Sequence, residues 1–370
     1  MVIPFMTIYC TQKLHFSLGQ AGMVMAMFGT GSIAGAFLGG RITDKFGFYP
    51  VQIIALLSGG SIFLVVGQLQ TFLGLCIGVF ILSICNESFR PANSTAIAYY
   101  SKPENRVRSY SLNRLAINLG FATGGAVGGF IASVDYHLLF WVDGITNIIA
   151  ALLMLKLIPR VKYHKDVSET GLRGSSPYKD LTYLFFIFLM ILFATCFLQL
   201  FGVMPVFYKT QWQISERLIG ALMAMNGLII AMFEMVVVHN MEGKRSPLVY
   251  TRIGALLFAL GFASINILPA SFLSACIAML LITGGEIFSM PFLNSYWLSR
   301  TQAANRGSYA ALYTIAWSTA QIIAPTFGAQ VAQHAGFHIL WWVISGMSLL
   351  QILGFGLLQK NQTTPSFKTL

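Results

Sequence analysis

Long apolar runs recur along the whole of this 370-residue chain. A helix that crosses a membrane needs about 20 consecutive, mostly apolar residues. Stretches of that kind cover residues 18–40, 50–68, 71–99, 107–133, 136–158, 181–208, 216–239, 247–268, 270–298, 307–333 and 336–358. Only 9% of the residues are charged, too few to cover a water-facing surface. The pattern predicts an all-α membrane protein.

The basic residues predict how the chain sits in the membrane. Of its 23 Lys and Arg residues, 17 fall in loops on one side, and only Lys13, Lys209 and Arg217 in loops on the other. Cytoplasmic loops carry the excess of Lys and Arg, so the 17-residue side is predicted to be cytoplasmic. The net charge of +11 is then loop charge, and no nucleic-acid partner is expected. We expect a multi-pass protein of the bacterial inner membrane with cytoplasmic termini.

The chain is predicted to contain two halves. An apolar stub at 1–10 covers only about half the membrane thickness, which suggests twelve spans with the first helix cut short. At an offset of 200 residues, Pro91 matches Pro291, and the pair Asn105-Arg106 matches Asn305-Arg306. The predicted parts are an N-terminal six-helix bundle at 1–158, a cytoplasmic linker at 159–180, a C-terminal bundle at 181–358 and a cytoplasmic tail at 359–370.

The loop after the first full span contains Gly40, Asp44, Lys45 and Gly47. Glycines permit a tight turn, and an aspartate can cap a helix or pair with a basic residue. This spacing resembles the cytoplasmic loop signature of the major facilitator superfamily, although Phe48 and Tyr49 stand where basic residues are common. The resemblance implies two six-helix bundles around a central cavity.

A second motif lies in the span that begins at residue 107. Five glycines recur there, Gly120, Gly124, Gly125, Gly128 and Gly129. They resemble the glycine-rich motif of drug/proton antiporters in the same superfamily, with Gly125 in place of a proline. The resemblance favours export, whereas spacing alone is equally compatible with helix packing that has no bearing on direction.

Ionisable groups inside the spans are candidates for proton coupling, because burying them in hydrocarbon is costly. Glu286 lies near the middle of its span with no cation within one turn, so desolvation favours its protonated form. Glu87 lies three residues from Arg90, and the two can form a static ion pair or a coupling site next to a kink at Pro91.

Other polar residues are weaker candidates. Asp143 is a third coupling candidate and Arg114 a further charge partner, while Glu234 and Arg252 lie near span ends and are expected to reach water. Candidates for the substrate cavity are Gln199, Tyr309, Tyr313, Trp317 and Gln321. The last four recur every four residues, which fits a cavity lining or aromatic packing between helices.

These features predict a secondary active transporter that works by alternating access, with proton-coupled export of amphipathic compounds as the favoured activity. A proton-coupled importer of peptides, sugars or other metabolites is the first alternative, and a non-transporting membrane sensor is the second. No nucleophile constellation, His cluster, CxxC pair or ATP-binding motif occurs, so neither an enzyme nor a metal or other cofactor is expected. The expected partners are a small-molecule substrate, protons and the lipid bilayer, and we expect a monomer.

Overall fold

The computed structural model describes residues 1–101, 106–158, 177–241, 243–300 and 306–360. These residues form α-helices joined by short turns, and no strand occurs among them. The helices are α1 Val2–Ile8, α2 Leu18–Phe46, α3 Phe48–Val66, α4 Phe72–Glu87, α5 Phe89–Tyr100, α6 Arg106–Ala132, α7 Tyr136–Leu157, α8 Leu181–Leu198, α9 Met204–Thr210, α10 Glu216–Met241, α11 Pro247–Ile267, α12 Phe272–Ser299, α13 Arg306–Ala335 and α14 Phe337–Lys360. The prediction of an all-α membrane protein is confirmed.

Ten stretches within the described residues are long and apolar enough to cross a membrane. They coincide with ten of the eleven spans predicted from the sequence. The eleventh, 307–333, corresponds to α13, which is 30 residues long but carries Gln321, Gln330 and Gln333 among its apolar residues. Residues 159–176 of the predicted linker (159–180) and residues 361–370 of the predicted tail (359–370) lie outside the described residues.

Two of the predicted spans are interrupted. The helix of 71–99 ends at Glu87 and resumes at Phe89, with Ser88 between the two parts. Pro91 lacks the N–H group that would bind the carbonyl oxygen of Glu87, which accounts for the predicted kink. At the break, the hydroxyl of Ser88 lies within donor distance of two carbonyl oxygens, that of Ile84 at 2.7 Å and that of Gly35 at 3.0 Å.

The second interruption falls in the predicted span 181–208, where α8 ends at Leu198 and α9 begins at Met204. Gly202 and Pro205 lie at this break, and both residue types weaken a continuous helix. By contrast, Pro291 is accommodated inside the uninterrupted helix α12. A proline at matching positions of the predicted repeat therefore breaks the helix in one half only.

The helix order repeats along the chain. Helices α2, α3, α4, α6 and α7 begin at residues 18, 48, 72, 106 and 136, and α10, α11, α12, α13 and α14 begin at 216, 247, 272, 306 and 337. Each pair of starting points differs by 200 residues to within two. Helix α1 corresponds in the same way to α9, since they begin at residues 2 and 204.

Helix packing follows the same repeat. In the first set α2 packs on α4 and α3 packs on α7, and in the second α10 packs on α12 and α11 packs on α14. The two sets, α1–α7 and α8–α14, meet where α6 packs on α10 and where α2 packs on α13. These two contacts, here called the seams, are equivalent under the repeat, because α2 corresponds to α10 and α6 to α13.

Each end of the bundle is named after a lysine that lies there, Lys13 at the end of a π-helical turn and Lys45 in the last turn of α2. The Lys13 end comprises the loops at 14–17, 67–71, 133–135, 211–215, 268–271 and 336, and the Lys45 end is the opposite end of the helices, where Gly47 and residues 243–246 lie. Cross-contacts tie the Lys13 end together: the backbone N–H of Gly19 donates to Gln333 at 2.6 Å, and Nδ1 of His137 lies 2.8 Å from the carbonyl oxygen of Gly67.

Candidate transport site

Glu286 lies halfway along α12, where it faces α10. Its Oε2 accepts a hydrogen bond of 3.2 Å from the side-chain amide of Asn226, and the same amide donates to the hydroxyl of Thr283 at 3.0 Å. Asn226 and Thr283 are buried, and Glu286 is partly buried. An amide N–H can donate to a carboxylate and equally to the carbonyl oxygen of a protonated acid. The contact can therefore persist whether or not Glu286 carries a proton.

Gly285, next to this acid, lets a further helix, α11, pack closely on α12. A Cβ atom at Gly285 would lie 2.6 Å from the ring of Phe258 and 2.9 Å from the carbonyl oxygen of Gly254. Only a residue without a side chain permits this approach. Glu286 is thus held on a helix that packs closely against two others.

Glu87 and Arg90 form the ion pair that their spacing predicts. The two groups are 3.2 Å apart between Nε and Oε2, and Glu87 is 16% exposed whereas Arg90 is 73% exposed. The pair spans the break between α4 and α5. An acid paired with an exposed cation beside a helix break can act in coupling or can simply be neutralised there, and the geometry fits both interpretations.

Asp143 lies on α7 against the first residues of α1. Its Oδ2 accepts a hydrogen bond of 2.9 Å from the backbone N–H of Val2, and its backbone carbonyl accepts one of 2.8 Å from Asn147. A carboxylate at the start of a helix interacts favourably with the unpaired backbone N–H groups there. The structure thus places Asp143 in a helix–helix contact.

The side chains of Asp44 and Arg114, two further candidates, lie outside the described residues. The structure describes the other residues of the loop motif, Gly40, Lys45 and Gly47. Gly47 has a φ of 86°, a backbone conformation that favours glycine, and it ends α2 and precedes α3. Lys45 extends over the ring of Phe46 at 5.2 Å, and Gly40 has open space where a side chain would stand.

The aromatic stripe on α13 packs against the second set of helices. The rings of Tyr309 and Tyr183 lie 4.5 Å apart, Tyr313 stacks on Trp297 at 5.7 Å, and Trp317 meets Phe197 edge-on at 6.0 Å. Tyr309 and Tyr313 are buried, whereas Trp317 is partly exposed. Aromatic packing thus accounts for the first two residues of the stripe.

Gln199 and Gln321 are the amide residues among the cavity candidates. Gln199 is fully buried at the end of α8, and its amide donates to the carbonyl oxygens of Thr195 at 3.2 Å and Ala324 at 2.9 Å. The second bond fixes α8 to α13. Gln321 is partly buried on α13.

The glycine motif of α6 divides between two partners. Gly125 and Gly129 face α10, since a Cβ atom at Gly129 would lie 2.6 Å from Cα of Gly220. Gly124 and Gly128 instead face Met1 of the first segment, at 3.6 Å and 3.3 Å from such a Cβ. Two of the five glycines therefore form the seam between α6 and α10.

Gly120, the first glycine of the motif, has no neighbouring atom within 4 Å of a built Cβ. Further along the seam the glycine comes from the other helix, because a Cβ atom at Gly227 would lie 3.0 Å from the carbonyl oxygen of Asn118. The second seam is similar: a Cβ at Gly22 would lie 2.8 Å from the carbonyl oxygen of Pro325. Both seams bring helix backbones into close contact.

A polar cluster at the Lys13 end was not among the predicted site residues. Glu216 at the start of α10 accepts a hydrogen bond of 2.6 Å from the hydroxyl of Tyr136 and pairs with Lys209 at 2.8 Å. Next to it, Nε of Arg217 donates to the hydroxyl of Ser133 at 2.8 Å. The sequence did contain a signal for this cluster, because Lys209 and Arg217 are two of only three basic residues in the loops predicted for that side of the membrane.

Asn226 was also missed, although it is a single amide within an apolar helix. Glu234, which was expected to reach water, is buried with 4% exposure, so that expectation is wrong. Arg252 is partly buried, and its Nη1 donates to the side-chain oxygen of Gln359 at 3.3 Å.

Comparisons with known proteins agree with this architecture. Among curated proteins, a Na(+), Li(+), K(+)/H(+) antiporter of Planococcus maritimus is 26% identical, with 96% of this chain and 90% of the relative covered. The class B tetracycline resistance protein of Escherichia coli is 22% identical, with 85% and 79% covered. Among solved structures, the nucleoside transporter NupG has a TM-score of 0.77 at 16% identity, with 97% of this chain and 94% of that one covered.

The family model of the Major Facilitator Superfamily matches residues 1–325, which is most of the chain. The resemblance seen in the loop and glycine motifs is therefore confirmed at the level of the family. This chain belongs to the Major Facilitator Superfamily and is a multi-pass membrane transporter, not an enzyme.

Proposed function

We propose that the protein is a secondary active transporter of the bacterial plasma membrane that exports small amphipathic compounds in exchange for protons. The observation that carries the proposal is the placement of Glu286, whose carboxyl group lies in the middle of α12 and is bound by the Asn226 amide. Carboxyl groups at membrane depth are costly to charge, so they suit the binding and release of protons. The amide contact tolerates both states of the acid.

We propose that helix α10 transmits the effect of proton binding at Glu286 to the seam with α6. Asn226 binds Glu286, and the adjacent Gly227 packs on α6 of the other set. A change in the charge of Glu286 alters the strength of the hydrogen bond from the Asn226 amide, since bonds to charged groups are stronger, and hence how α10 meets α6. Alternating access then consists of one set rocking against the other about the two seams.

Export is favoured by two lines of support. The glycine motif of α6 resembles that of drug/proton antiporters, and curated relatives carry the names of an antiporter and of tetracycline resistance and multidrug resistance proteins. With cytoplasmic termini, as the loop charges predict, protons would enter from the Lys13 end and substrate would leave there. Glu87 and Asp143 remain secondary coupling candidates.

The decisive experiment uses everted membrane vesicles with an imposed proton gradient. Tetracycline or a lipophilic dye cation should dissipate the gradient in vesicles that contain the wild-type protein. Glu286→Gln should abolish this response while the protein still inserts and elutes as a single folded species. Glu234→Gln is the matched control, because it neutralises a buried acid on the neighbouring helix α10. Normal exchange by Glu286→Gln would contradict the assignment.

A monovalent cation is the second candidate substrate, because one relative is named as a sodium, lithium and potassium/proton antiporter. The same vesicles, challenged with the chlorides of these cations, separate the two substrate classes. Uptake measured in right-side-out vesicles tests the importer alternative, since an importer would concentrate substrate when protons flow inward. An absence of proton flux with every compound would favour the sensor alternative.

A further inference from the structure

We propose that a groove between α11 and α14 at the Lys45 end binds the headgroup of an anionic phospholipid. The groove has a volume of ≈ 540 Å³ and its lining includes Arg252, Gly356, Gln359 and Lys360. Neither α11 nor α14 forms one of the two seams, and the transport mechanism above makes no use of the groove.

The position of Arg252 is set by Gly356. A Cβ atom at residue 356 would lie 3.5 Å from Cζ of Arg252, so the guanidinium rests directly over the glycine. Its Nη1 is held by Gln359 at 3.3 Å, while its buried Nε has no hydrogen-bond partner among the described residues. The guanidinium is therefore fixed in orientation with donor capacity left over.

The depth of the groove matches the level of lipid phosphates. Arg252 is the sixth residue of α11, about 7.5 Å from the start of the helix, and Gly356 is about 6 Å from the end of α14. Lys360 is exposed at that end. Basic pockets between membrane helices at this level are suited to anionic headgroups, and a guanidinium forms paired hydrogen bonds with phosphate.

Apolar side chains are exposed in the groove and next to it. Leu357 and Leu353, both in the lining, are 57% and 66% exposed, and Leu256, four residues after Arg252 on α11, is exposed as well. Such a surface suits acyl chains, whereas a water-soluble phosphate gains nothing from it. Neither α11 nor α14 contains an Asp or Glu that would repel an anion. Charge and apolar surface together identify a lipid as the occupant.

The repeat supplies an internal comparison. At an offset of 200 residues, Gln52 stands in place of Arg252 and Lys156 in place of Gly356. Gln52 is buried and donates to Asn93 at 3.4 Å, and Lys156 is exposed. The first set thus lacks both the guanidinium and the space that together form the groove.

The test is native mass spectrometry of the full-length protein in detergent, titrated with phosphatidylglycerol or with phosphatidylcholine of the same acyl chains. Wild type should prefer phosphatidylglycerol, and Arg252→Gln should weaken that binding about fivefold, the effect expected of one cation near a membrane surface. Gly356→Leu should weaken it comparably without changing any charge, because the leucine fills the groove. Lys156→Gln, which removes a cation at the matching end of α7, should bind as wild type does.

Equal affinity for the two lipids, or wild-type affinity in both Arg252→Gln and Gly356→Leu, would overturn the proposal. Glycerol 3-phosphate is the third arm. Failure of this soluble compound to displace bound phosphatidylglycerol supports a lipid site, and full displacement at similar concentration would show a site for free phosphate instead. Both variants keep the transport candidates intact, so their failure to bind lipid is distinguishable from a failure of proton exchange.

Discussion

The hydroxyl of Tyr136 on α7 donates a hydrogen bond of 2.6 Å to Oε1 of Glu216 on α10, and this bond joins the two sets of helices at the Lys13 end. The same oxygen accepts from Lys209 at 2.8 Å. Close by, Arg217 donates to Ser133 and lies over the ring of Phe130 at 5.1 Å. The cluster adds polar contacts beside the seam between α6 and α10, where small side chains let the two backbones meet.

Tyr136→Phe should loosen this end of the bundle. Hydrogen bonds to charged groups contribute about 1.5–3 kcal/mol, so losing this one should favour separation of α7 from α10 at least about tenfold. Cys10 can report this separation, because it is buried and follows Tyr9, whose ring lies 6.2 Å from that of Tyr136. Labelling of Cys10 by a thiol reagent, followed by mass spectrometry, should become faster.

The matched control is Tyr178→Phe, which removes a hydroxyl from an exposed residue outside the seams. It should leave Cys10 labelling at the wild-type rate. A Tyr136→Phe protein with unchanged labelling would show that the apolar and backbone contacts hold the Lys13 end closed without the polar cluster.

The seam between α6 and α10 predicts opposite effects for two glycines of one motif. Gly129→Ala would place a methyl group 2.6 Å from Cα of Gly220 and from the carbonyl oxygen of Glu216, so the two backbones must separate. We expect a loss of stability of about 1–3 kcal/mol from overpacking and a loss of proton-coupled transport. Thermal unfolding in detergent and the vesicle assay measure the two effects.

Gly120→Ala is the control, because nothing lies within 4 Å of a Cβ at that position. Alanine is favoured over glycine in a helix by about 1 kcal/mol, so this variant should unfold at an equal or higher temperature and transport normally. Equal behaviour of the two variants would contradict the assignment of Gly129 to a close seam.

Local features of the fold follow from the sequence because lipid imposes them. Apolar length defined the spans, and Pro91 predicted the break after Glu87, which is present. The break after Leu198 was missed, although Gly202 and Pro205 lie there. A proline alone does not decide whether a membrane helix is interrupted, because Pro291 lies inside the continuous helix α12. The outcome depends on which neighbouring groups bind the freed carbonyl.

Pairing between helices was less predictable. In lipid, apolar side chains do not favour one helical neighbour over another, so partners are chosen by shape and by a few polar contacts. The sequence indicated that the glycines of α6 form a packing surface. It could not show that Gly129 faces Gly220 while Gly124 faces the first segment. The bond between Asn226 and Glu286 likewise depends on a contact between helices 60 residues apart.

Asn226→Ala tests that bond directly. The change removes a donor to the carboxyl group of Glu286, and we expect the rate of proton-coupled exchange to fall about tenfold, as for the loss of one hydrogen bond to a charged group. The pH profile of exchange should also move, which a merely structural role would not produce. Asn240→Ala is the control, because that exposed amide binds only the carbonyl oxygen of Val236 in its own helix among the contacts described. An unchanged profile in Asn226→Ala would remove the amide from the coupling mechanism.

Asp180 and Arg300 link the start of α8 to the end of α12 at the Lys45 end, and they predict a pH-dependent contribution to stability. Nη2 of Arg300 lies 2.8 Å and 3.0 Å from the two carboxylate oxygens, and the hydroxyl of Tyr309 donates to one of them at 3.1 Å. Burial alone would raise the pKa of Asp180, but the hydrogen bonds from Arg300, from the backbone of Tyr183 and from Tyr309 outweigh it and hold the pKa below its ordinary value of 3.8.

Because the pKa of Asp180 is lowered in the folded state, the ion pair stabilises the protein above about pH 4, and this contribution is lost as the pH falls through the folded-state pKa. Asp180→Asn keeps a cap for α8 but removes the charge, and it should lower the free energy of unfolding by about 1.5–3 kcal/mol at pH 7. The deficit should shrink in thermal unfolding at pH 3, where the wild-type carboxyl group is increasingly protonated. Asp135→Asn is the control. Asp135 caps α7 but forms no ion pair among the described residues, so this variant should show little deficit at either pH. A deficit of equal size at pH 3 and pH 7 would mean that Asp180 acts through packing and not through its charge.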